Sequence, residues 1–177
     1  MTEASVLIRT LTATEAHASN AALSDILIDC VHGGASVSFM APLSDEKANA
    51  FWQGVAGGLA RNDRALLVAE DAAAGIVGTV QVVFAQQENQ PHRADIAKML
   101  VHRGARQRGI GTMLMQAAEA TARAAGKTLL VLDTATGSDA ERLYQRLGWQ
   151  RVGAVPDYAL WPDGRPCATT YYYKAIG

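Results

Sequence analysis

The sequence predicts one mixed α/β domain spanning residues 1–177, and three observations carry that expectation. Helical apolar periodicity comes early in the chain, a meander of β-branched runs occupies the middle, and a strand-helix-strand-helix unit followed by strands completes it. No linker, internal repeat or low-complexity tract divides these elements. A chain of 177 residues with 49% apolar and 19% charged residues is long enough for one well-buried core and too short for two comfortable ones.

In chain order, "SVLIRTL" reads as a short strand, and Thr12 with Glu15 has the spacing of a capping box that opens a helix through about Cys30, ending at "HGG". "ASVSFMAPLS" is irregular. "SDEKANAFWQGVAGGLARND" then places acids in a first turn ahead of helically spaced apolar residues. "RALLVAE" and "GIVGTVQVVFA", separated by "DAAA", read as an antiparallel hairpin, and "QQENQPHR" as a polar loop. "ADIAKMLVH" is a strand. The next helix carries Ile110, Leu114, Ala117, Ala118, Thr121 and Ala125 on one face and stops at Gly126. "TLLVLDT" is nearly continuous in apolar residues, as for a strand covered on both faces. Ser138 and Glu141 repeat the capping-box spacing before the short helix "DAERLYQRLG". "WQRVGAVPDYAL" and "TTYYYKAI" are strands around the turn "WPDGRP".

Bulk charge narrows the function classes. Sixteen Lys and Arg against seventeen Asp and Glu leave a formal charge of −1, so nucleic acid and acidic membranes are not expected partners. Glu3 in a short N-terminal apolar run does not match a secretion signal, and no run approaches the roughly 18 uncharged apolar residues of a membrane span. A soluble cytoplasmic protein is expected, with Cys30 and Cys167 as free thiols rather than a disulfide framework. His17, His32, His92 and His102 are scattered, with no ligand spacing, so no metal is assigned. Oligomeric state is open, a homodimer included.

The densest functional signal is "RGARQRGIGTMLMQAAEATARAAGK", residues 103–127. Helix N-termini present unpaired N–H groups and partial positive charge, which suits phosphate. Gly109 and Gly111 leave the backbone bare there, and Arg103, Arg106 and Arg108 add cationic donors, so the stretch reads as a pyrophosphate cradle. A P-loop is excluded because Gly111 is followed by Thr112 and Met113 rather than Lys-Ser/Thr. A dinucleotide fingerprint is excluded because its third glycine would fall on Leu114. A solvated basic loop with turn glycines is the alternative.

"R-x-x-G-x-G" at Arg106, Gly109 and Gly111, after an apolar strand and opening a helix, resembles the acetyl-CoA signature of the GNAT superfamily of N-acetyltransferases. "A-E-R-L-Y-Q-R-L-G-W", Ala140 to Trp149, resembles that superfamily's second motif at the right distance downstream. The order of strands and helices agrees over essentially the whole chain. The resemblance implies a mostly antiparallel central sheet, flanked by helices and splayed before the 109–126 helix to leave a slot for acetyl-CoA. It implies cofactor contacts from Met99, Leu100 and Val101 and from Arg106, Gln107, Arg108, Gly109, Ile110, Gly111 and Thr112. Many members carry Asn three residues before the motif alanine; this chain has Gly137.

Acetyl transfer requires a neutral amine, whereas an alkyl amine, with a pKa of roughly 10, is mostly protonated near neutral pH, so a proton acceptor must be close. Asp95, in the strand region where the family often places a carboxylate base, and Asp133, at the end of "LLVLD", are the candidates. A strand-edge residue and a turn carboxylate are the respective alternatives. Tyr144 matches the family tyrosine that donates toward the departing sulfur; a core tyrosine is the alternative. Phe39, Met40, Tyr158 and Trp161 are candidates to wall an acceptor pocket or to pack in the core. The implied acceptor is a small-molecule amine, tabtoxinine-β-lactam by overall similarity, with another amine, a lysine-bearing peptide, or a non-catalytic CoA sensor as alternatives.

Overall fold

A computed structural model describes residues 6–177, so the readings of Glu3 and Ser5 lie outside the described residues. The chain runs β1 (Val6–Leu11), α1 (Ala13–Ala18), α2 (Asn20–His32), α3 (Asp45–Ala60), β2 (Arg64–Asp71), β3 (Gly75–Phe84), β4 (Arg93–Val101), α4 (Ile110–Ala124), β5 (Leu129–Ala135), α5 (Asp139–Arg146), β6 (Gln150–Leu160) and β7 (Pro166–Ala175), with a 3₁₀ turn at Arg103–Ala105. The strands form one seven-stranded sheet in the order β1-β2-β3-β4-β5-β7-β6. Every neighbouring pair is antiparallel except β4 and β5. Thus the mixed α/β architecture with a mostly antiparallel, helix-flanked sheet is present.

Local chemistry explains the boundaries. The Thr12 hydroxyl accepts from the Glu15 N–H while Glu15 accepts from the Thr12 N–H, so the expected capping box exists. The single helix expected from it is two, broken at Ser19 (φ −93°, ψ 7°). At the end of α4, Gly126 takes φ 75° and the Lys127 N–H reaches the Ala122 carbonyl at 2.9 Å, closing the helix in a conformation glycine adopts without a Cβ penalty.

The helices cover both faces of the sheet. Leu23, Leu27, Trp52 and Val55 of α2 and α3 bury against Leu66, Val68 and Leu100. Ile110, Leu114, Met115, Ala118 and Ala122 of α4, with Leu143 and Tyr144 of α5, bury against Val80, Val82, Leu130 and Leu132. The α4 stripe differs from the expected one at its end: Ala122 is buried and Ala125 exposed, because Ala125 caps the helix rather than extending its inner face. β5 also departs from expectation. Leu130 and Leu132 are buried while Leu129 and Val131 are only half-buried, since α4 and α5 cover one side and the α1–α3 layer stops over β4.

The break between β4 and β5 creates the site. They pair only at Arg93, Ala94 and Asp95 opposite Leu129, Leu130 and Val131, and then diverge. Thr79 pairs with Leu100 but Gln81 pairs with Ala97, so β4 carries an extra residue around Lys98, whose φ is 49°. Such a bulge bends its strand and increases local twist.

Candidate functional site

The divergence opens a slot of about 1160 Å³ between β4 and β5. One end is built by the start of α4. Gly109 is its N-cap at φ 73° and lacks a side-chain capping bond. The first intrahelical bond at this end is donated by the Met113 N–H to Gly109, leaving the amides of Ile110, Gly111 and Thr112 without intrahelical acceptors. These residues line the slot, and with the helix dipole they present free N–H donors and partial positive charge at this end. Ahead of α5 the Gly137 N–H, one residue before the N-cap, donates to the Glu141 carboxylate, while Ser138 makes no side-chain capping bond and its hydroxyl faces that of Thr134. The expected capping box is therefore absent in both halves: the Ser138 hydroxyl caps nothing, and Glu141 accepts from the Gly137 amide rather than from that of Ser138, whose N–H donates to the Ala135 carbonyl at 3.2 Å.

The two cradle glycines serve different ends. Gly109 needs its left-handed conformation, and a Cβ there would meet nothing within 4 Å. At Gly111 a Cβ would lie 3.1 Å from Leu143 Cδ2, so this glycine permits close packing of α4 on α5. Gly137, at φ 80°, occupies a conformation that Asn and Gly tolerate better than other residues.

The arginines are fastened to the fold. Arg103 Nε donates to Asp29 at 2.9 Å. Arg108 donates to the buried Asp71 at 2.7 Å and is absent from the slot lining. Arg106 lines the slot, and its Nε donates to the Val101 carbonyl at 3.2 Å. Met99, Leu100, Val101 and Gln107 also line it, and from Ala97 onward β4 has no strand partner on its β5 side. An extended ligand arm can hydrogen-bond along that open edge.

Of the carboxylates and tyrosine singled out, Asp133 and Tyr144 line the slot and Asp95 does not. Asp95 lies where β4 still pairs with β5, and Arg93 donates to it at 2.5 Å. Asp133 stands exposed at the slot, its Oδ2 accepting from the Thr169 hydroxyl at 3.0 Å. Tyr144 is buried with its ring beside Trp149 and Tyr172, and its hydroxyl has no hydrogen-bond partner among the described residues. Burial, and then the charge of Asp133, push its pKa well above the ordinary tyrosine value, so it stays protonated at neutral pH.

The far end of the slot is spanned by a strap. The α2–α3 connection is tied to the β6–β7 turn by Ser36 Oγ donating to the Leu160 carbonyl at 3.0 Å and by the Ala41 N–H donating to that of Pro162 at 3.1 Å. Phe39, Met40, Tyr158 and Trp161 all line this end. Tyr171 donates to Tyr158 at 2.9 Å, which with burial and Asp133 pushes the Tyr171 pKa up to about 12. Sequence reasoning passed over Lys98, which projects into the same end; its signal was a lone cation inside the apolar strand "DIAKMLV". Cys30 and Cys167 are unpaired, and burial pushes the Cys30 thiol up, away from reactivity.

Among the described residues no group of His, Cys, Asp and Glu is arranged to hold a metal, and no helix is long and apolar enough to cross a membrane. The model of the acetyltransferase (GNAT) family matches residues 22–149. The fold is shared with an N-acetyltransferase from Staphylococcus aureus Mu50 at 19% identity, TM-score 0.79, over 98% of this chain and 99% of that one. It is shared with a ribosomal-protein-alanine N-acetyltransferase from Brucella melitensis at 23% identity, TM-score 0.78, over 96% and 99%. A phosphinothricin acetyltransferase from Sinorhizobium meliloti, solved in complex with acetyl-CoA, matches at 17% identity, TM-score 0.77, over 97% and 89%.

Proposed function

The chain belongs to the acetyltransferase (GNAT) family and is an acetyl-CoA-dependent acetyltransferase; from that premise we propose that its acceptor is the amine of a small molecule, specifically tabtoxinine-β-lactam, whose acetylation would confer toxin resistance. The strapped end of the slot carries the small-molecule part of this reading. Ser36 and Ala41, bonded to Leu160 and Pro162, tie a strap across that end, which leaves less room for an extended peptide than for a compact amine. The specific acceptor is supported by overall sequence similarity to the tabtoxin resistance protein, a family member that acetylates this β-lactam.

The residues present fit the cosubstrate: free amides at α4, an unpartnered β4 edge and the unpaired Tyr144 hydroxyl line one continuous slot. In this reading the Ile110, Gly111 and Thr112 amides, with Arg106, Gln107 and Gly109, hold the pyrophosphate, Arg108 braces the loop behind them, and the backbone of Met99, Leu100 and Val101 holds the pantetheine arm. Acetyl-CoA supplies an activated thioester acetyl group. Asp133 accepts the proton of the incoming ammonium, directly or through water, so that nitrogen can bond to the acetyl carbon. Tyr144 donates its proton to the departing sulfur as the carbon–sulfur bond breaks, and the proton that the newly acylated nitrogen sheds restores it, through water. Asp95, held by Arg93 outside the slot lining, would act only through a water chain.

The test is acetyl-CoA-dependent thiol release with tabtoxinine-β-lactam beside amino acids, polyamines, aminoglycosides and lysine peptides, with product masses measured. Selective turnover of the β-lactam supports the proposal; preferred turnover of another amine discards the toxin assignment; preference for lysine peptides discards the small-molecule reading as well.

A further inference from the structure

Lys98 stands where β4 bulges away from β5, at the strapped end of the slot. It is half-buried, and its Nζ donates to a neutral partner, Ser38 Oγ, at 3.1 Å. Among the described residues it is within ion-pair distance of no carboxylate; the Asp133 charge acts on it from farther off. Buried charges are ordinarily paired, because an ammonium taken out of water without an anion is costly. Burial accordingly lowers the Lys98 pKa and Asp133 opposes that shift.

The local backbone adds a second observation. Lys98 and Ser38 are both non-glycine residues in the left-handed region, at φ 49° and φ 77°. They come from separate segments and meet through their side chains. Outliers of this kind persist where the surrounding structure holds them, and they cluster at ligand sites. The Phe51 ring lies 5.8 Å from Nζ and further restrains the side chain. The slot's other cations are Arg106, which donates to Val101, and Arg146 at the end of α5; Lys98 is the cation beside Phe39 and Met40.

We infer that Lys98 binds a carboxylate of the acceptor, so that the acceptor class is an amine that also carries an acid group: an amino acid or a close analogue. This rests on the small-molecule reading proposed above. Asp133 and Lys98 present opposite charges to the same space without neutralising each other by direct contact. A zwitterion meets both, its ammonium at Asp133 and its carboxylate at Lys98. Once Asp133 takes the proton, the carboxylate contact keeps the neutral amine from drifting out of the slot. The acetyl group is not touched by Lys98, which makes it a specificity residue.

The experiment compares wild type, Lys98→Met and Lys98→Arg on tabtoxinine-β-lactam and a panel of amino acids, each beside its own carboxamide, by thiol release with kcat and KM separated. Thermal melts confirm that each variant is folded. Wild type is expected to favour acid over amide. In Lys98→Met that ratio falls about tenfold to a hundredfold, the range for losing a charge-assisted hydrogen bond, with the change in KM for the acid; Lys98→Arg retains part of it. Equal loss on acid and amide, or an undiminished ratio in Lys98→Met, overturns the Lys98 assignment while the small-molecule reading stands. A wild type that ignores acids and amides alike but acetylates lysine peptides overturns both.

Discussion

Tyr144→Phe separates chemistry from packing because the hydroxyl and the ring have different surroundings. The ring is buried beside Trp149 and Tyr172, at centroid separations of 6.1 and 6.2 Å, and phenylalanine keeps those contacts. The hydroxyl has no partner among the described residues, so its removal breaks no protein hydrogen bond. The stability change should stay within about 0.5 kcal/mol, the range for substitutions that remove no structural interaction. At ~2–4 °C per kcal/mol for a chain of this size, that is less than about 2 °C in Tm. Turnover should behave differently. General acid catalysis is worth ~10²–10⁴-fold, and a thiol leaving group, with a pKa near 8.5, needs the proton less than an alkoxide does. The expected loss is therefore about 10²-fold in kcat, or about 2.7 kcal/mol. The assay is steady-state thiol release at saturating acetyl-CoA, with a thermal melt in the same buffer. Unchanged kcat in Tyr144→Phe, with the melt also unchanged, would refute the acid role and leave Tyr144 a packing residue. The raised pKa supplies an independent check. A folded-state pKa above the unfolded value means that the native state holds the proton longer, so this contribution is intact below about pH 10 and is lost as pH rises from there toward the shifted value. Tyr144→Phe should lose less stability than wild type over that alkaline window.

Asp133→Asn retains an oxygen for the Thr169 hydroxyl but cannot take a proton; kcat should fall by ~10²-fold or more with little change in Tm, and a loss below about tenfold would remove it as the base. Gly109→Ala forces a Cβ into φ 73°, which costs about 1–2 kcal/mol, and acetyl-CoA binding by calorimetry should weaken as the helix start relaxes; unaltered affinity would argue against the cradle. Arg108→Ala leaves Asp71 without its ionic partner, so Tm should fall at neutral pH. The hydrogen bond from Arg108, followed by those from the Ala73 and Ala74 amides, holds the Asp71 carboxyl below its usual pKa, so wild type has this contribution above about pH 4 and loses it on further acidification. The variant's acid melting curve should be flatter over that range, and identical slopes would show that the pair does not stabilise the fold.

What could be read from sequence was local, and what could not was set by packing. Thr12 and Glu15 specify a capping box within four residues, and "DAAA" between two β-branched runs specifies a hairpin; both are present. The break at Ser19 has no breaker residue, neither Gly nor Pro, to announce it. "TLLVLDT" reads as doubly covered because apolar composition cannot reveal that the α1–α3 layer ends over β4. Ser138 and Glu141 have the spacing of a capping box, yet Glu141 reaches the Gly137 amide and the Ser138 hydroxyl faces that of Thr134. At the site, Asp133 from the end of "LLVLD" and Tyr144 from the second motif line one slot. Asp95 differs because register, which a single strand does not encode, places it where β4 and β5 still pair. Lys98 escaped notice because the chemistry sought was a base, and a protonated lysine is not one.

The arginine-rich stretch before α4 has a structural logic distinct from the one its composition suggests. Residues 102–109 must turn from the end of β4 into a helix whose first amides stay free, and that turn contains Gln107 at φ 62° and Gly109 at φ 73°. A left-handed non-glycine residue stores on the order of 1–3 kcal/mol and relaxes unless its flanks are fixed. Three arginines fix them at three different places: Arg103 to Asp29 on α2, Arg106 to the Val101 carbonyl on β4, and Arg108 to Asp71 at the end of β2. Two of the three guanidinium groups are thereby anchored away from the slot, and the positive end of the slot rests chiefly on backbone amides and the helix dipole. Amides cannot swing away or be screened as mobile side chains are, so the cradle keeps its geometry in the free protein. The positive charge in the sequence thus acts first on the loop, and through the loop on the geometry of the helix start.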